Sequence, residues 1–225
     1  MRRITVLLAE DHMIVREGLK KLLEAEPNIE VIGEATTGRE AVDLTLKLRP
    51  AVVVMDIVMP QLNGLEATRQ IRQAVPDAKV LILSAHSDDV YVESVMALGA
   101  VGYLIKQSSA HELSEAIREV QKGNTFFSPS IAEKHLHHHQ KFLDQKGRSK
   151  TKCTGLSSRE VEVLQLIAEG TTNKKIAAKF GLSTKTVEKH RDHLMRKLDI
   201  HDIAGLTRYA IATGVIESSV QLTIV

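Results

Sequence analysis

The chain holds a single cysteine, Cys153, among 225 residues. One thiol excludes an internal disulfide and fits a reducing cytoplasm, where it reads as an incidental linker residue. No apolar run approaches the ~20 residues that a membrane-spanning helix needs, so a cytoplasmic protein with no membrane partner is expected. The opening MRRITVLLAED places basic residues before an apolar run, as a signal peptide does. That run reaches only from Ile4 to Ala9 before Glu10 and Asp11, short of the ~7–15 apolar residues of such a segment. Hydrophobic content of 43% and charged content of 26% are ordinary for a globular protein. A length of 225 residues predicts one or two domains.

The small net charge of +2 conceals an asymmetry. Residues 1–122 carry 14 Lys and Arg against 18 Asp and Glu, whereas residues 123–225 carry 16 against 10. An acidic half is thus joined to a half suited to a polyanion.

The stretch AVVVMDIVMP, residues 51–60, organises the first half. A short apolar run, rich in β-branched residues and bounded by Pro50 and Pro60, predicts a strand covered on both faces, hence a parallel sheet. Strand and helix patterns alternate around it. Ile4–Ala9, 31–35, the Asp56 strand, Lys79–Ser84 and 101–106 are the expected strands. Helices are expected over 13–25, with Ile14, Leu19, Leu22 and Leu23 at helical spacing, and over 38–48, with Ala41, Val42, Leu44 and Leu48 on one face. Three more are expected over 65–74, over 88–98, stopped by Gly99, and over 111–122, closed by Gly123. Five such units predict an α/β fold, a five-stranded doubly wound parallel sheet, because parallel strands need crossover helices with right-handed connections.

Ligands of these sheets bind beyond the carboxyl ends of the strands. There the chain sets Glu10 and Asp11 after the first strand, Asp56 after the third, Ser84 on the fourth and Lys106 on the fifth. Converging carboxylates repel unless a cation sits among them, and a hard divalent ion such as Mg²⁺ suits oxygen ligands. The Ser84 hydroxyl and the Lys106 ammonium, with such an ion, suit a phosphoryl group carried on Asp56. Two rival sheets fail on the same residues. A dinucleotide-binding fold needs G-x-G-x-x-G after the first strand, where the chain reads AEDHMIVREG. A haloacid-dehalogenase-like phosphatase, by resemblance, needs a second aspartate two residues after the nucleophile, where Val58 stands.

The dispersed set Glu10-Asp11, Asp56 with Met59-Pro60 and Asn63-Gly64, Ser84-Ala85 and Gly102-Tyr103-Leu104-Ile105-Lys106 resembles the receiver domain of two-component response regulators, over residues 1–122. The resemblance implies that Asp56 accepts a phosphoryl group from a sensor histidine kinase and releases it slowly, without independent enzyme activity. It implies Mg²⁺ held directly by Asp11, Asp56 and the backbone carbonyl of Val58, with Glu10 acting through water. It also implies a switch pair, in which the Ser84 hydroxyl moves to the phosphoryl group and the Tyr103 ring rotates inward.

Residues 123–154 read as a connector. Phe126, Phe127 and Ile131 are expected to pack back on the sheet, a helix is expected over 128–143, and DQKGRSKTKCTG reads as flexible linker. His135, His138 and His139 have spacing open to a transition metal, but no Cys or carboxylate completes a site, so an exposed polar face is the expectation. Past the linker, Ser157-Ser158-Arg159-Glu160 is a capping box that opens a helix over 158–169. A short helix over Asn173–Phe180, a turn at Gly181-Leu182-Ser183 and a longer helix through Leu198 predict a helix-turn-helix, whose second helix suits a DNA major groove. A fourth helix is expected over 203–213, and 218–225 has no clear signal. On the third helix Val187, Leu194 and Leu198 share one side, flanked by His190 and Arg191. The opposite side shows Lys185, Glu188, Lys189, Asp192 and Arg196. Lys185 and Lys189 suit phosphates or guanine edges, and Glu188 and Asp192 suit cytosine amino groups. Thr186 and Arg191 complete the candidate DNA-binding set.

This half resembles the LuxR-type DNA-binding domain through Leu156-Ser157, Arg159-Glu160, Val163-Leu164, Ile167-Ala168, Gly170, Asn173-Lys174, Ile176-Ala177, Leu182-Ser183, Thr186-Val187, His190 and Leu194-Met195-Arg196-Lys197-Leu198. Joined to a receiver, it resembles a NarL/FixJ-type response regulator. That implies a double-stranded DNA partner and a homodimer when phosphorylated, paired through residues 203–213. The expected organisation is a receiver over 1–122, a partly helical linker over 123–154, a small all-α four-helix helix-turn-helix domain over 155–216 and a tail over 217–225. A second reading makes the second domain a docking surface for protein or RNA, and an independent hydrolase is a third.

Overall fold

The computed structural model describes residues 3–85, 91, 92, 95, 98–129, 131, 132 and 155–217, in two compact units, Met1–Cys153 and Thr154–Val225. Most of the helix expected over 128–143, with its histidine cluster, lies outside the described residues, as do Cys153 and residues 218–225. Of the helix expected over 88–98, Tyr91, Val92 and Val95 are described as helical and buried.

The first unit runs β1 (Ile4–Ala9), α1 (Met13–Glu24), β2 (Ile29–Ala35), α2 (Gly38–Leu48), β3 (Val52–Met55), α3 (Gly64–Ala74), β4 (Lys79–Ser84), β5 (Gly102–Ile105), α4 (Ala110–Lys122) and β6 (Phe126–Phe127). The sheet order is β2-β1-β3-β4-β5-β6, and every neighbouring pair is parallel. β3 is buried at every residue, as a strand covered on both faces must be. Alternation along the strands sorts its side chains into two layers. Val53 and Met55 join Leu7, Ile82 and Tyr103 in a core that takes in Ala41 of α2 and Ile71 of α3. Val52 and Val54 join Leu8, Leu81 and Leu104 in a second core with Leu23 of α1 and Ile117 of α4. The sheet is therefore doubly wound.

Two details differ from the sequence reading. The sheet has six strands, because Phe126 and Phe127 pair with β5 at Gly102 and Tyr103, and Ile131 follows them into the core. A two-residue strand is too short to show a period. On α1 the inward arc is Arg16, Leu19, Lys20 and Leu23, while Ile14 and Leu22 are exposed. Positions 16, 19, 20 and 23 form the i, i+3, i+4, i+7 stripe, and the long stems of Arg16 and Lys20 fill places that a count of apolar residues assigns elsewhere.

The second unit holds α5 (Ser158–Ala168), α6 (Asn173–Phe180), α7 (Thr184–Leu198) and α8 (Ile203–Ala212). Each begins at a side-chain cap: Ser157 with Glu160 as a full capping box, then Thr172, Ser183 and Asp202. Such caps satisfy backbone N–H groups that the first turn leaves without partners. Gly181, at φ 64°, ends α6 in the left-handed region and turns the chain into α7. Val163, Ile167, Ile176, Val187, Leu194 and Leu206 form the core of this unit.

Candidate functional site

β1 pairs with β2 on one side and β3 on the other, so strand order turns about β1. That is where an open parallel sheet binds its ligand, beyond the carboxyl ends. The Asp56 N–H donates to the Ala9 carbonyl at 2.9 Å, and the Lys106 N–H to the Ser84 carbonyl at 2.8 Å. These bonds carry the β1–β3 and β4–β5 ladders one residue past the strands and set the side chains at one edge.

Lys106 then crosses to the acidic side. Its Nζ donates to Asp56 Oδ2 at 2.8 Å and lies 2.7 Å from Glu10 Oε2. The one ammonium thus pairs with both carboxylates. Asp56 Oδ1 accepts the Ile57 N–H at 2.7 Å. Burial raises the Asp56 carboxyl to about 6 against the opposing pull of Lys106, and the Glu10 charge adds to the rise. Burial alone would lower the Lys106 ammonium, but Asp56 and Glu10 outweigh it and hold its pKa above the ordinary lysine value.

Glu10, Asp11 and Asp56 set three carboxylates against this one ammonium. One ligand atom from each of Glu10, Asp11, His12 and Asp56 lies within 4.8 Å of the other three. Glu10 Oε2, beside Lys106, and Asp11 Oδ1, beside His12, are buried oxygens with few donors for their lone pairs. Buried oxygens in that state suit a hard divalent cation, so the residues present fit Mg²⁺.

The turn after Asp56 explains the Asn63-Gly64 pair. A Cβ on Gly64 would lie 1.8 Å from the Asp56 carbonyl oxygen, so only glycine fits. The Gly64 N–H donates to the Ile57 carbonyl at 2.8 Å, and the Asn63 side chain caps α3 by accepting the Glu66 N–H at 2.8 Å. Val58 lies in this turn, half-buried against the sheet core. Ser84 is buried at the end of β4. Tyr103 is wholly buried, in the core that holds Val53 and Ile82. The Ser128 N–H donates to the Tyr103 carbonyl at 3.0 Å, which ties the segment after β6 to the strand that carries Tyr103.

On the second unit α7 buries Val187 and Leu194 and exposes Lys185, Glu188, Lys189, Asp192 and Arg196. Thr186 is half-buried, its hydroxyl 2.8 Å from that of Ser183. Arg191, also half-buried, lines a cavity of about 490 Å³ with Lys174 and the α6 N-terminal residues Thr172 and Asn173.

What positions α7 was missed in the sequence. Glu160 reads there as a capping residue, which it is, and it is also buried, with Lys197 Nζ 2.8 Å from Oε2 and His193 Nδ1 2.9 Å from Oε1. Glu160 and Lys197 stand 37 positions apart, too far for a local signal. Burial alone would raise the Glu160 carboxyl, but hydrogen bonds from Lys197 and from the Ser157 N–H and hydroxyl hold it down to about 2. A folded-state pKa below the unfolded one contributes stability above the unfolded value, near 4.5, and that stability is lost as pH falls through about 2. Glu160→Gln should therefore destabilise this unit at neutral pH by on the order of 3 kcal/mol. In denaturant titrations the gap to wild type should close between pH 4.5 and about 2. A gap that stays constant with pH would assign the loss to the cap geometry alone.

Residues 6–118 match the response regulator receiver domain family, and residues 154–210 match the bacterial regulatory proteins of the luxR family. The chain belongs to the response regulators, with a receiver domain followed by a LuxR-type DNA-binding domain, a transcription regulator by class. It is 42% identical over 207 residues to the transcriptional regulatory protein LiaR of Bacillus subtilis (strain 168), a match covering 92% of this chain and 96% of that one. It is 35% identical over 223 residues to the transcriptional regulatory protein DegU of Brevibacillus brevis, covering 94% of each. Among solved structures, RcsB from Salmonella enterica serovar Typhimurium bound to promoter P1flhDC in the presence of phosphomimetic BeF3- is 26% identical, with a TM-score of 0.59, covering 95% of this chain and all of that one. Receiver domains generally bind Mg²⁺ at an acidic pocket, and this chain has such a cluster of carboxylates. Among the described residues, no helix is long and apolar enough to cross a membrane.

Proposed function

We propose that the protein is a cytoplasmic, phosphorylation-controlled DNA-binding regulator, in which a sensor histidine kinase transfers a phosphoryl group to Asp56. The receiver spans residues 1–122, a linker that begins with β6 spans 123–154, the DNA-binding domain spans 155–216 and a tail spans 217–225. The observation that carries the reading is the Lys106 ammonium set between Asp56 and Glu10 at the switch point of the sheet. Asp11, Asp56 and the Val58 carbonyl would hold Mg²⁺ directly, with Glu10 acting through water. When bound, the ion supplies positive charge to offset that of the phosphoryl oxygens. An Asp56 carboxylate oxygen forms the new bond to phosphorus as the donor's P–N bond breaks, its electron pair leaving on the imidazole nitrogen. Lys106 neutralises charge on the transferred group, and the Ser84 hydroxyl donates a hydrogen bond to it. Tyr103 is the partner of Ser84 in the switch. Slow hydrolysis of the acyl phosphate ends the signal, with no independent enzymatic turnover.

On the second unit α7 enters the major groove, where Lys185, Glu188, Lys189, Asp192 and Arg196 meet base edges and phosphates while Thr186 and Arg191 meet the backbone. Ile203 and Ile211 of α8 are exposed apolar residues, and they support pairing of two phosphorylated copies through this helix. Binding of the full-length protein to duplex DNA over a salt series tests the reading. The logarithm of affinity should fall linearly with the logarithm of salt concentration, with a slope of about −0.9 per phosphate contacted. No duplex binding, or binding indifferent to salt, would favour a protein-docking role for the second unit.

A further inference from the structure

Ser128 stands where β6 gives way to a helical turn, and its N–H, carbonyl and hydroxyl oxygen are all engaged. Pro129, Ile131 and Ala132 are helical, and the Ser128 carbonyl accepts the N–H groups of Ile131 at 2.8 Å and Ala132 at 2.9 Å. Ser128 therefore holds the N-cap position of this turn, with proline in the first helical place. An N-cap serine ordinarily turns its hydroxyl on its own helix. The Ser128 hydroxyl oxygen accepts the Ile105 N–H of β5 at 3.1 Å, while the Ser128 N–H donates to the Tyr103 carbonyl at 3.0 Å. In a regular parallel ladder a residue makes both such bonds to the neighbouring strand through its N–H and its carbonyl. Here the hydroxyl replaces the carbonyl on Ile105, which frees that carbonyl to start the helical turn. One buried residue thus joins the strand to the turn. Ile131 lies wholly buried in the core with Tyr103, and a Cβ on Gly102 would lie 2.8 Å from the Phe126 carbonyl oxygen, so glycine is needed where β6 approaches β5.

β5 is also the strand that ends at the phosphorylation edge. Lys106 follows Ile105, and its Nζ donates to Asp56 Oδ2 at 2.8 Å. A phosphoryl group on Asp56 brings oxygens into the place where the ammonium now meets the carboxylate, so Lys106 has to move. The Lys106 N–H holds the Ser84 carbonyl on one side of β5, and Ser128 holds Tyr103 and Ile105 on the other. Hydrogen bonds weaken steeply as they bend, so a shift of this strand end carries with it the groups bonded to it. We infer that Ser128 is the positioning residue that passes a shift of β5 into the linker, on the reading that phosphorylation of Asp56 controls DNA binding. Its hydroxyl and N–H ride on the strand, and its carbonyl sets the first turn of the segment that leads to the second unit.

Anisotropy of labelled operator DNA with full-length Ser128→Ala and Ser128→Thr, each with and without phosphodonor, tests this. Intact-protein mass spectrometry should show both variants phosphorylated as fully as wild type, because neither change touches the Asp56 edge. The gain in affinity on phosphorylation, roughly 5- to 150-fold in wild type, should fall to within about twofold of none in Ser128→Ala. Ser128→Thr keeps the hydroxyl and should retain most of the gain. Melting temperatures separate stability from relay: a merely structural serine would lower the melting temperature of Ser128→Ala and leave the gain in place. A full gain in Ser128→Ala overturns the assignment, as does a loss of its phosphorylation. An equal loss of gain in both variants would place the effect in packing rather than in the hydroxyl, and overturns it too. A wild type that is phosphorylated without any gain would overturn control by Asp56 itself, and the relay with it.

Discussion

Full-length protein carrying Asp56→Asn should take up no phosphoryl group from a small-molecule phosphodonor, while wild type is labelled and its labelling ceases in excess chelator. The substitution keeps the shape of the side chain but replaces a nucleophilic carboxylate with an amide. Lys106 keeps its contact with Glu10 at 2.7 Å, so the loss of one ion pair leaves the edge assembled. Two other carboxylates stand nearby, and the structure distinguishes them from Asp56. Glu10 is 1% exposed and anchored by the His12 N–H. Asp11 is more open, at 28%, but faces His12, whereas Asp56, at the end of the central strand β3, shares with Glu10 the ammonium that would steady a transferred phosphoryl group. Intact-protein mass spectrometry reads the outcome. Equal labelling of the variant would place the acceptor on another residue.

Alanine at Lys185 or Lys189 should weaken binding to the cognate operator by roughly 5- to 150-fold each, the equivalent of about 1–3 kcal/mol for a base-edge contact. Where the contact is to phosphate, the salt slope should fall by about one. Both lysines are exposed one turn apart on α7 and form no ion pair among the described residues, and alanine is the better helix former. The melting temperature of the variants should therefore match or exceed that of wild type while DNA affinity falls. Glu188→Ala should change which sequences are preferred more than how tightly they bind. A competition binding series over randomised duplexes measures both effects, and unchanged affinity and preference in all three variants would move the recognition surface off α7.

How much was legible in the sequence depended on the range of the interaction that a residue makes. AVVVMD ends a strand because a run of β-branched apolar residues suits a doubly covered sheet, and the burial of Val52–Met55 follows directly. The caps Ser157 and Ser183 act within three residues, so their effect is written locally. The meeting of Asp56 and Lys106, 50 residues apart, became legible only because each ends a strand and the strands are parallel. Contacts without such a frame were not visible. Ile14 and Leu22 are apolar at helical spacing, yet the sheet takes Arg16 and Lys20 in their place because the stripe that faces it is set by packing rather than by hydrophobicity. Glu160 and Lys197 meet through the tertiary packing of α5 against α7. Tyr103 was placed as a switch residue, but whether its ring lies in or out is decided by the packing around β5, which the sequence does not show.

The most direct test of the account joins its two halves in one titration: anisotropy of labelled operator DNA with full-length protein, with and without phosphodonor, for wild type and Asp56→Asn. The account predicts that phosphodonor tightens wild-type binding by roughly 5- to 150-fold, the range of a coupling of about 1–3 kcal/mol, and leaves the variant at the resting affinity. The same gain in Asp56→Asn, or no gain in a wild type shown to be phosphorylated, would contradict it.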